Sequence, residues 1–369
     1  MNVLSIVSGT STDGLSWSCV DVDETSGSIG FEVLQKGNRG FSRELKSLLL
    51  RITNQGNASL ADIDRAHWLL GRTLLSVPPL LRHSVDMAVF SGHTLHHVEQ
   101  AGRSGLGTFQ IGAVEPLALK LGKPVVTDMR YTDVAAGGMG APLVPAADSI
   151  MFPEGAVVLN IGGISNITLI DREVTGFDCG PGNMLIDGAM KILYGRSMDR
   201  NGTVAKSGTV NQHLLSFLMR DEFVNSRPPK STGRERYSVA YLNSILTKAR
   251  KYGMTRRDII ATLSAFTSDS ILSNIVRFAG GRETLIVAGG GAYNSYILER
   301  LRSGFRGSVM TSSAYGVDPD TREAVAFAIL CYLSVNLKPA NSRATGAKTL
   351  LPLGRITLYG FSRKPAVCL

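Results

Sequence analysis

Apolar and polar positions divide the chain into two halves built on one plan. Residues 2–8 form a mostly apolar run, which predicts a buried strand, and end in Gly9-Thr-Ser-Thr-Asp-Gly14. Residues 15–21 then alternate, with Leu15, Trp17, Cys19 and Asp21 on one side and Ser16, Ser18 and Val20 on the other. A Ser/Gly-rich turn leads to a third strand over 30–36. Three successive strands with short turns predict an antiparallel start. Helical spacing covers 42–53 and 60–82, and a short apolar strand at 87–90 closes on Ser91-Gly-His-Thr94. A helix near 115–121 and a strand at 124–127 complete the half.

The second half repeats this. A buried strand at 156–159 enters Asn160-Ile-Gly-Gly-Ile-Ser-Asn166, and strands follow at 166–171 and 173–177. Helices are expected near 182–194, 209–220, 236–252 and 257–279. A strand at 284–288 ends in Gly289-Gly-Gly291, then come a helix at 293–302, a strand at 308–312 and a last helix at 320–337. The pattern predicts an α/β protein of two duplicated domains, 1–150 and 151–319, around a cleft, with the tail 320–369 packing back on the first. A single doubly wound sheet is the alternative, which the antiparallel openings disfavour.

Composition narrows the class. A chain of 369 residues exceeds one ordinary domain, and 44% hydrophobic with 19% charged residues describes a soluble globular protein. The 40 glycines gather in short motifs, which points to tight turns near ligands. No apolar run reads as a membrane span, and the N-terminus lacks the pattern of a signal peptide. Cys19, Cys179, Cys331 and Cys368 have no metal-site spacing and read as free thiols of a cytoplasmic protein. The net charge of +9 allows nucleic acid, but no binding module supports it, and an anionic small substrate explains the balance as well.

The chemistry sits in the turns. In the first, backbone N–H groups and hydroxyls of Gly9, Thr10, Ser11, Asp13 and Gly14 can wrap phosphate oxygens, and Asp13 can hold Mg2+ or orient a water; a polar hairpin turn is the alternative. Asn160, Gly162, Gly163 and Asn166 form the matching turn of the second half, and neither turn has the P-loop pattern. Gly289, Gly290 and Gly291, with Asn294, suit the base and ribose of a nucleotide. Between 127 and 145, Asp128, Arg130 and Asp133 fall on one side of a loop-to-helix junction. Arg130 is a candidate for a substrate carboxylate or hydroxyl, against a salt bridge among the three. His93, His96 and His97 lack a fourth metal ligand, so His93 is read as a substrate hydrogen-bonding group. Lys230 and Arg234 lie on a loop, 228–235, that reads as exposed, and a solvated loop without binding duty fits equally. Asp178, followed by Gly180, Pro181 and Gly182, reads as a carboxylate on a rigid turn, with Pro181 suiting the first position of a helix. An N-cap and tight turn is the alternative.

Together these stretches resemble the anhydro-N-acetylmuramic acid kinases, of the sugar kinase, heat-shock chaperone and actin superfamily. The resemblance rests on the turns at 9–14, 160–166 and 289–294, the run 128–145, Phe177-Asp-Cys-Gly-Pro-Gly-Asn183, Pro228-Pro-Lys-Ser-Thr-Gly-Arg-Glu235 and Glu323-Ala-Val-Ala-Phe-Ala328. It implies two duplicated RNase H-like (actin-like ATPase) domains with an interdomain cleft and suggests a homodimer; the expectation of a cytoplasmic protein without nucleic acid or membrane partners comes from composition. It implies ATP and Mg2+ as cofactors and an anhydro amino sugar as substrate. The reaction implied opens 1,6-anhydro-N-acetylmuramic acid by hydrolysis and phosphorylates O6, giving N-acetylmuramic acid 6-phosphate and ADP in cell-wall recycling. Asp178 matches the family's catalytic carboxylate, a general base on water. The turns at Gly9, Asn160 and Gly289 match nucleotide-binding positions, while His93, Thr94, Arg130, Asp133, Gly180, Asn183 and Glu323 fall in substrate-binding motifs. Two departures bear on the sugar. Ser16 stands where the family usually has a second aspartate, and 91–97 is one residue shorter than the usual Ser-His-Gly-Gln-Thr-x-x-His, with its histidine moved. A kinase of the same fold for another anhydro or amino sugar, or a non-catalytic nucleotide-binding protein, is the alternative.

Overall fold

The strands pair in one order twice. The computed structural model describes residues 1–9, 12–55, 58–97, 107–233 and 236–358. These form two units, Met1–Met151 with Thr321–Leu369, and Phe152–Asp320. In the first unit, β1 (Asn2–Ser8), β2 (Gly14–Thr25) and β3 (Ser28–Gly40) make an antiparallel meander. On the other side of β1, β4 (Met87–His97) and then β6 (Val125–Thr127) add in parallel. β12 (Arg355–Thr357) extends the sheet beyond β6, and β5 (Thr108–Ile111) pairs with the end of β4. In the second unit, β7 (Ala156–Ile161), β8 (Ile164–Leu169) and β9 (Thr175–Pro181) repeat the meander, and β10 (Thr284–Ala288) and β11 (Ser308–Thr311) add in parallel beside β7. The first sheet thus runs β3-β2-β1-β4-β6 and the second β9-β8-β7-β10-β11, each with its second strand antiparallel, which is the RNase H-like arrangement of actin-like ATPases.

Each sheet buries its alternating apolar positions under helices. In the first unit, Leu4, Ile6, Leu15, Trp17 and Cys19 pack against α1 (Arg43–Gln55), α2 (Leu60–Leu74) and α3 (Glu115–Leu121). The short helices α4 (Met129–Ala135) and α5 (Pro145–Met151) follow. In the second unit, Leu159, Ile161, Ile167 and Phe177 pack under α6 (Met184–Tyr194), with α7 (Thr203–Lys206), α8 (Gln212–Leu218), α9 (Glu222–Asn225), α10 (Val239–Lys251), α11 (Arg256–Phe278) and α12 (Ser295–Gly304) around them. α13 (Arg322–Val335) belongs to the first unit, where it packs on β1, β2 and β4. Every residue from Ala324 to Cys331 is buried, which is why its sequence shows no polar face.

Four expectations change. Helix 60–82 ends at Leu74, because Pro78 and Pro79 cannot continue an α-helix and form a short 3-10 turn instead. The strand read at 87–90 runs on to His97, because β5 supplies a second partner to its far end. α11 has the length and apolar character of a membrane span; 78% of its most apolar window is buried inside its own unit, as befits a core helix. Pro181 ends β9 rather than starting a helix, since α6 begins at Met184. Cys19, Cys179 and Cys331 are buried free thiols, and Cys368 lies outside the described residues.

Candidate functional site

Register brings the polar residues of the second unit into one row. Asn160 on β7 is opposite Asn166 on β8, and Asn166 is opposite Asp178 on β9. Directly opposed residues share a face of the sheet. Their neighbours Leu159, Ile161, Ile167, Phe177 and Cys179 turn to the other face, into the core. The row therefore interrupts one face at the end where β7 turns back.

Three glycine turns stack at that end. The β7–β8 hairpin closes through Gly162 N–H to the Ile164 carbonyl at 3.1 Å. The chain leaving β9 docks on it, with Gly182 N–H donating to Gly163 O at 2.9 Å and Asn183 N–H to Gly162 O at 2.8 Å. A Cβ at Gly182 would stand 2.3 Å from Gly162 O, so the contact requires glycine. At Gly289, in the left-handed region with φ 78°, a Cβ would meet Asn160 Oδ1 at 2.6 Å, and at Gly291 it would meet Ile161 Cγ2 at 2.3 Å. Gly290 differs: the nearest atom to its Cβ position is Asn183 Nδ2 at 3.9 Å. Gly162 is open in the same way, and Gly163 faces only the end of Met184. So three glycines pack turn on turn, and three present open backbone that a ligand can approach. Asn183 Nδ2 donates to Ile161 O at 3.2 Å, and Asn294 is spent as a cap, its Oδ1 accepting from Ile297 N–H at 3.2 Å.

Asp178 lies within β9, not on a turn, and is 8% exposed. The reading of it as a turn carboxylate beside a helix N-terminus is thereby corrected. Its Oδ2 accepts from Thr232 N–H at 2.8 Å and from Ser231 Oγ at 3.1 Å. Its own N–H donates to Lys230 O at 3.1 Å. The segment 230–232 thus lines the free edge of β9 and orients the carboxylate. Beyond it, Gly180 (φ 145°) offers its carbonyl to Ser165 Oγ at 3.1 Å. Sequence reasoning included Ser231 and Thr232 only inside a motif; no spacing signal linked them to Asp178.

Lys230 corrects the expectation of an exposed loop. It is 6% exposed, with Nζ donating to Phe223 O at 2.9 Å and Val224 O at 3.0 Å. It stands 5.0 Å from the Phe223 ring centroid and 5.9 Å from that of Phe177. Burial pulls its pKa down to about 8. Arg234 lies outside the described residues.

In the first unit, Thr10 and Ser11 also lie outside them. Asp13 is exposed and pairs with Lys46 Nζ at 2.6 Å. Gly14 allows β2 to meet β3, since a Cβ there would stand 2.3 Å from Arg39 O. His93 is buried, with Nδ1 2.8 Å from Ser8 Oγ and its ring edge-on to Phe41. Thr94 Oγ1 accepts from Gln110 Nε2 at 3.3 Å. Arg130 donates to Gly140 O at 2.8 Å; burial lowers its pKa while Glu323 and Asp133 oppose that. Among the described residues no salt bridge joins Arg130 to Asp128, which pairs with Arg355 at 3.8 Å. Asp133 is 0% exposed and accepts from Gly140 N–H at 2.8 Å, Thr345 Oγ1 at 2.8 Å and Asn341 Nδ2 at 3.2 Å. Such an enclosed carboxylate fixes the turn at 137–140 and has no surface to offer a ligand. Glu323 is exposed in the first turn of α13. The structure thus gathers Arg130, Asp133 and Glu323 and sets Asp128 apart. A separate pocket of about 310 Å³, lined by Ser91, Gly92, Gln110, Glu115, Asp128 and Arg355 among others, was not foreseen from the sequence.

His97 carries a measurable consequence. Its Nδ1 is 3.1 Å from Thr108 Oγ1, and its buried Nε2 has no hydrogen-bond partner among the described residues. Burial first, then Arg130 and His96, pull its pKa down to about 4. The unfolded chain takes up this proton near the ordinary value of about 6.5, whereas the native state resists until about 4. Stability is therefore lost as pH falls through that window, by up to about 2 kcal/mol after discounting for partial exposure. Urea midpoints measured across it should flatten in His97→Gln; parallel curves for the two proteins would refute the assignment.

A model of the family described as anhydro-N-acetylmuramic acid kinase matches residues 1–359. The protein of that description from Caldanaerobacter subterraneus subsp. tengcongensis is 32% identical over 382 residues, covering 96% of each chain. Its counterpart in Bacillus cereus (strain AH820) is 32% identical and covers 97% of this chain and 99% of its own. That of Salinibacter ruber is 33% identical, with 97% and 96% covered. Among solved structures, the activator of the 2-hydroxyisocaproyl-CoA dehydratase from Clostridium difficile has a TM-score of 0.45 at 12% identity, covering 89% of this chain and 93% of its own.

Proposed function

Because the chain belongs to the anhydro-N-acetylmuramic acid kinase family, we propose that it opens 1,6-anhydro-N-acetylmuramic acid with water and phosphorylates O6 at the expense of ATP. The products are N-acetylmuramic acid 6-phosphate and ADP, in the recycling of cell-wall sugars. The observation that carries this reading is Asp178, an enclosed carboxylate oriented by Ser231 and Thr232 beside the open glycine backbone.

Asp178 takes a proton from a water as that water attacks the anomeric carbon. The bond from that carbon to the bridging oxygen breaks, and O6, released from the ring, takes the γ-phosphoryl group while ADP leaves. The phosphoryl half needs alignment and charge neutralisation more than covalent help. The open backbone at Gly162, Gly163 and Gly290 serves the nucleotide, with Asn160 and Asn166 beside it. Gly289, Gly291 and Asn294 act from behind, by shaping the turn and the helix that follows it. Within the first unit, Arg130, Glu323 and Thr94 are the groups offered to a sugar, while Asp133 and buried His93 hold their surroundings in place; within the second, Gly180 and Asn183 follow Asp178.

Magnesium fits this donor set only as a companion of ATP. Among the described residues no group of three His, Cys, Asp or Glu side chains is placed to hold a metal ion, and Asp13 is paired with Lys46. Mg2+ usually keeps several waters and binds through substrate phosphates with one or two carboxylates, so Asp13 would add at most a single oxygen. When bound, the ion neutralises charge on the phosphates.

The test is the mass of the product formed from ATP and the anhydrosugar. A gain of both phosphate and water, with labelled water's oxygen on the anomeric carbon, is expected. Phosphate without water would replace this reading with simple phosphorylation by a related sugar kinase. Absence of any sugar product would overturn it in favour of a non-catalytic nucleotide-binding protein.

A further inference from the structure

The run 230–232 has an anchor of its own, and that anchor is a buried charge. At one end, Thr232 N–H and Ser231 Oγ meet one oxygen of Asp178, and Lys230 O receives the Asp178 N–H. At the other end, Lys230 Nζ ties the run to α9 through the carbonyls of Phe223 and Val224. α9 is itself fixed. Asp221 Oδ1 accepts from the N–H groups of Phe223 and Val224, and Asn274 Nδ2 on α11 reaches Val224 O at 3.3 Å and Cys179 O at 3.2 Å. A continuous set of bonds thus leads from the core helix α11, through α9 and the Lys230 ammonium, to the carboxylate of Asp178.

We propose that Lys230 is a positioning residue for Asp178, whose ammonium holds the 230–232 segment in the register at which Ser231 and Thr232 aim the carboxylate. The proposal rests on the reading of Asp178 as the base. Burying an ammonium is costly; the charged groups around this one are Asp178 on β9, Asp221 before α9 and Arg277 on α11, with the neutral thiol of Cys179 beside them. Its depressed pKa shows the cost being borne. An apolar side chain would fill the space between Phe177 and Phe223 with no such penalty, but it would take one donor from each of the Phe223 and Val224 carbonyls, which would keep Ser226 and Asn274, and would remove the tie between α9 and the 230–232 run.

The experiment compares kcat and KM. Lys230→Met should lower kcat by roughly 10- to 100-fold, the scale of a displaced catalytic group, while KM for ATP and for the sugar stays within about twofold. Lys230→Arg, which restores charge and donors, should recover most of the loss. Lys230→Met combined with Ser231→Ala should cost less than the product of the two single losses, because both act on one carboxylate. If Lys230→Met is too unstable to assay, Lys230→Gln, which keeps a donor nitrogen but no charge, carries the same kcat-selective expectation. Normal kcat in a folded Lys230→Met, or kcat and both KM values deteriorating together, overturns the proposal. Asp178→Asn separates the two failures. If that variant turns over normally, the base reading falls. If it is inactive while Lys230→Met is normal, only the role of Lys230 falls.

Discussion

Asp178→Asn lowers turnover by about 10²- to 10⁴-fold, the usual contribution of a positioned general base, and leaves ATP binding intact. The substitution suits the site because both hydrogen bonds from the 230–232 segment go to a single oxygen, Oδ2. An amide oxygen in that position keeps both donors, and the amide nitrogen takes the place of the other oxygen. The strand need not move, since the Asp178 N–H still reaches Lys230 O. What disappears is proton acceptance from water. Saturating both substrates and measuring product formation, together with nucleotide affinity by calorimetry and the melting curve, separates chemistry from folding. Turnover within a few-fold of the unsubstituted protein would sink the role given to Asp178. Loss of nucleotide affinity in parallel with turnover would mean that the carboxylate organises the turns instead.

The local parts of this site were legible in the sequence, and the long-range parts were not. Alternation over 15–21 and the repeated antiparallel openings were enough to give both sheets their first three strands, because strand periodicity is local. The glycine turns were equally visible. Which glycine serves packing and which faces a ligand was not, since Gly289 is constrained by Asn160 and Gly182 by Gly162 only once the turns stack. Asp178 looked like a turn residue because Gly180, Pro181 and Gly182 follow it, yet β9 continues through Pro181, whose missing N–H a strand end tolerates. Asp133 looked like a ligand because it lies in the 128–145 motif; beside Gly140, its partners Asn341 and Thr345 come from the far end of the chain. Lys230 looked exposed because prolines and polar residues surround it, and the carbonyls that receive it belong to a four-residue helix that carries no periodic signal.

Arg322→Met destabilises the first unit by about 3–5 kcal/mol, the range for removing one partner of a buried ion pair. Arg322 and Asp148 are both buried and their side chains are bonded to each other, joining α13 to α5. A cation in the first turn of a helix opposes the helix dipole, so nothing local favours arginine there; Asp148 supplies the reason. The pair occupies a sensitive place. α5 ends at Met151, the last residue before the chain passes into the second unit, and α13 starts just after the chain returns at Thr321. Loss of the guanidinium removes the cation bonded to the buried Asp148 carboxylate. Asp148→Asn with Arg322→Met should therefore cost clearly less than the two single changes added together. Urea unfolding of the four proteins measures both quantities, and a change below about 1 kcal/mol in Arg322→Met would show the pair to be dispensable. Activity supplies a second readout. Glu323 is the next residue on α13 and is one of the two carboxylates that hold the charge on Arg130. Loosening the start of that helix should raise KM for the sugar before it affects the nucleotide.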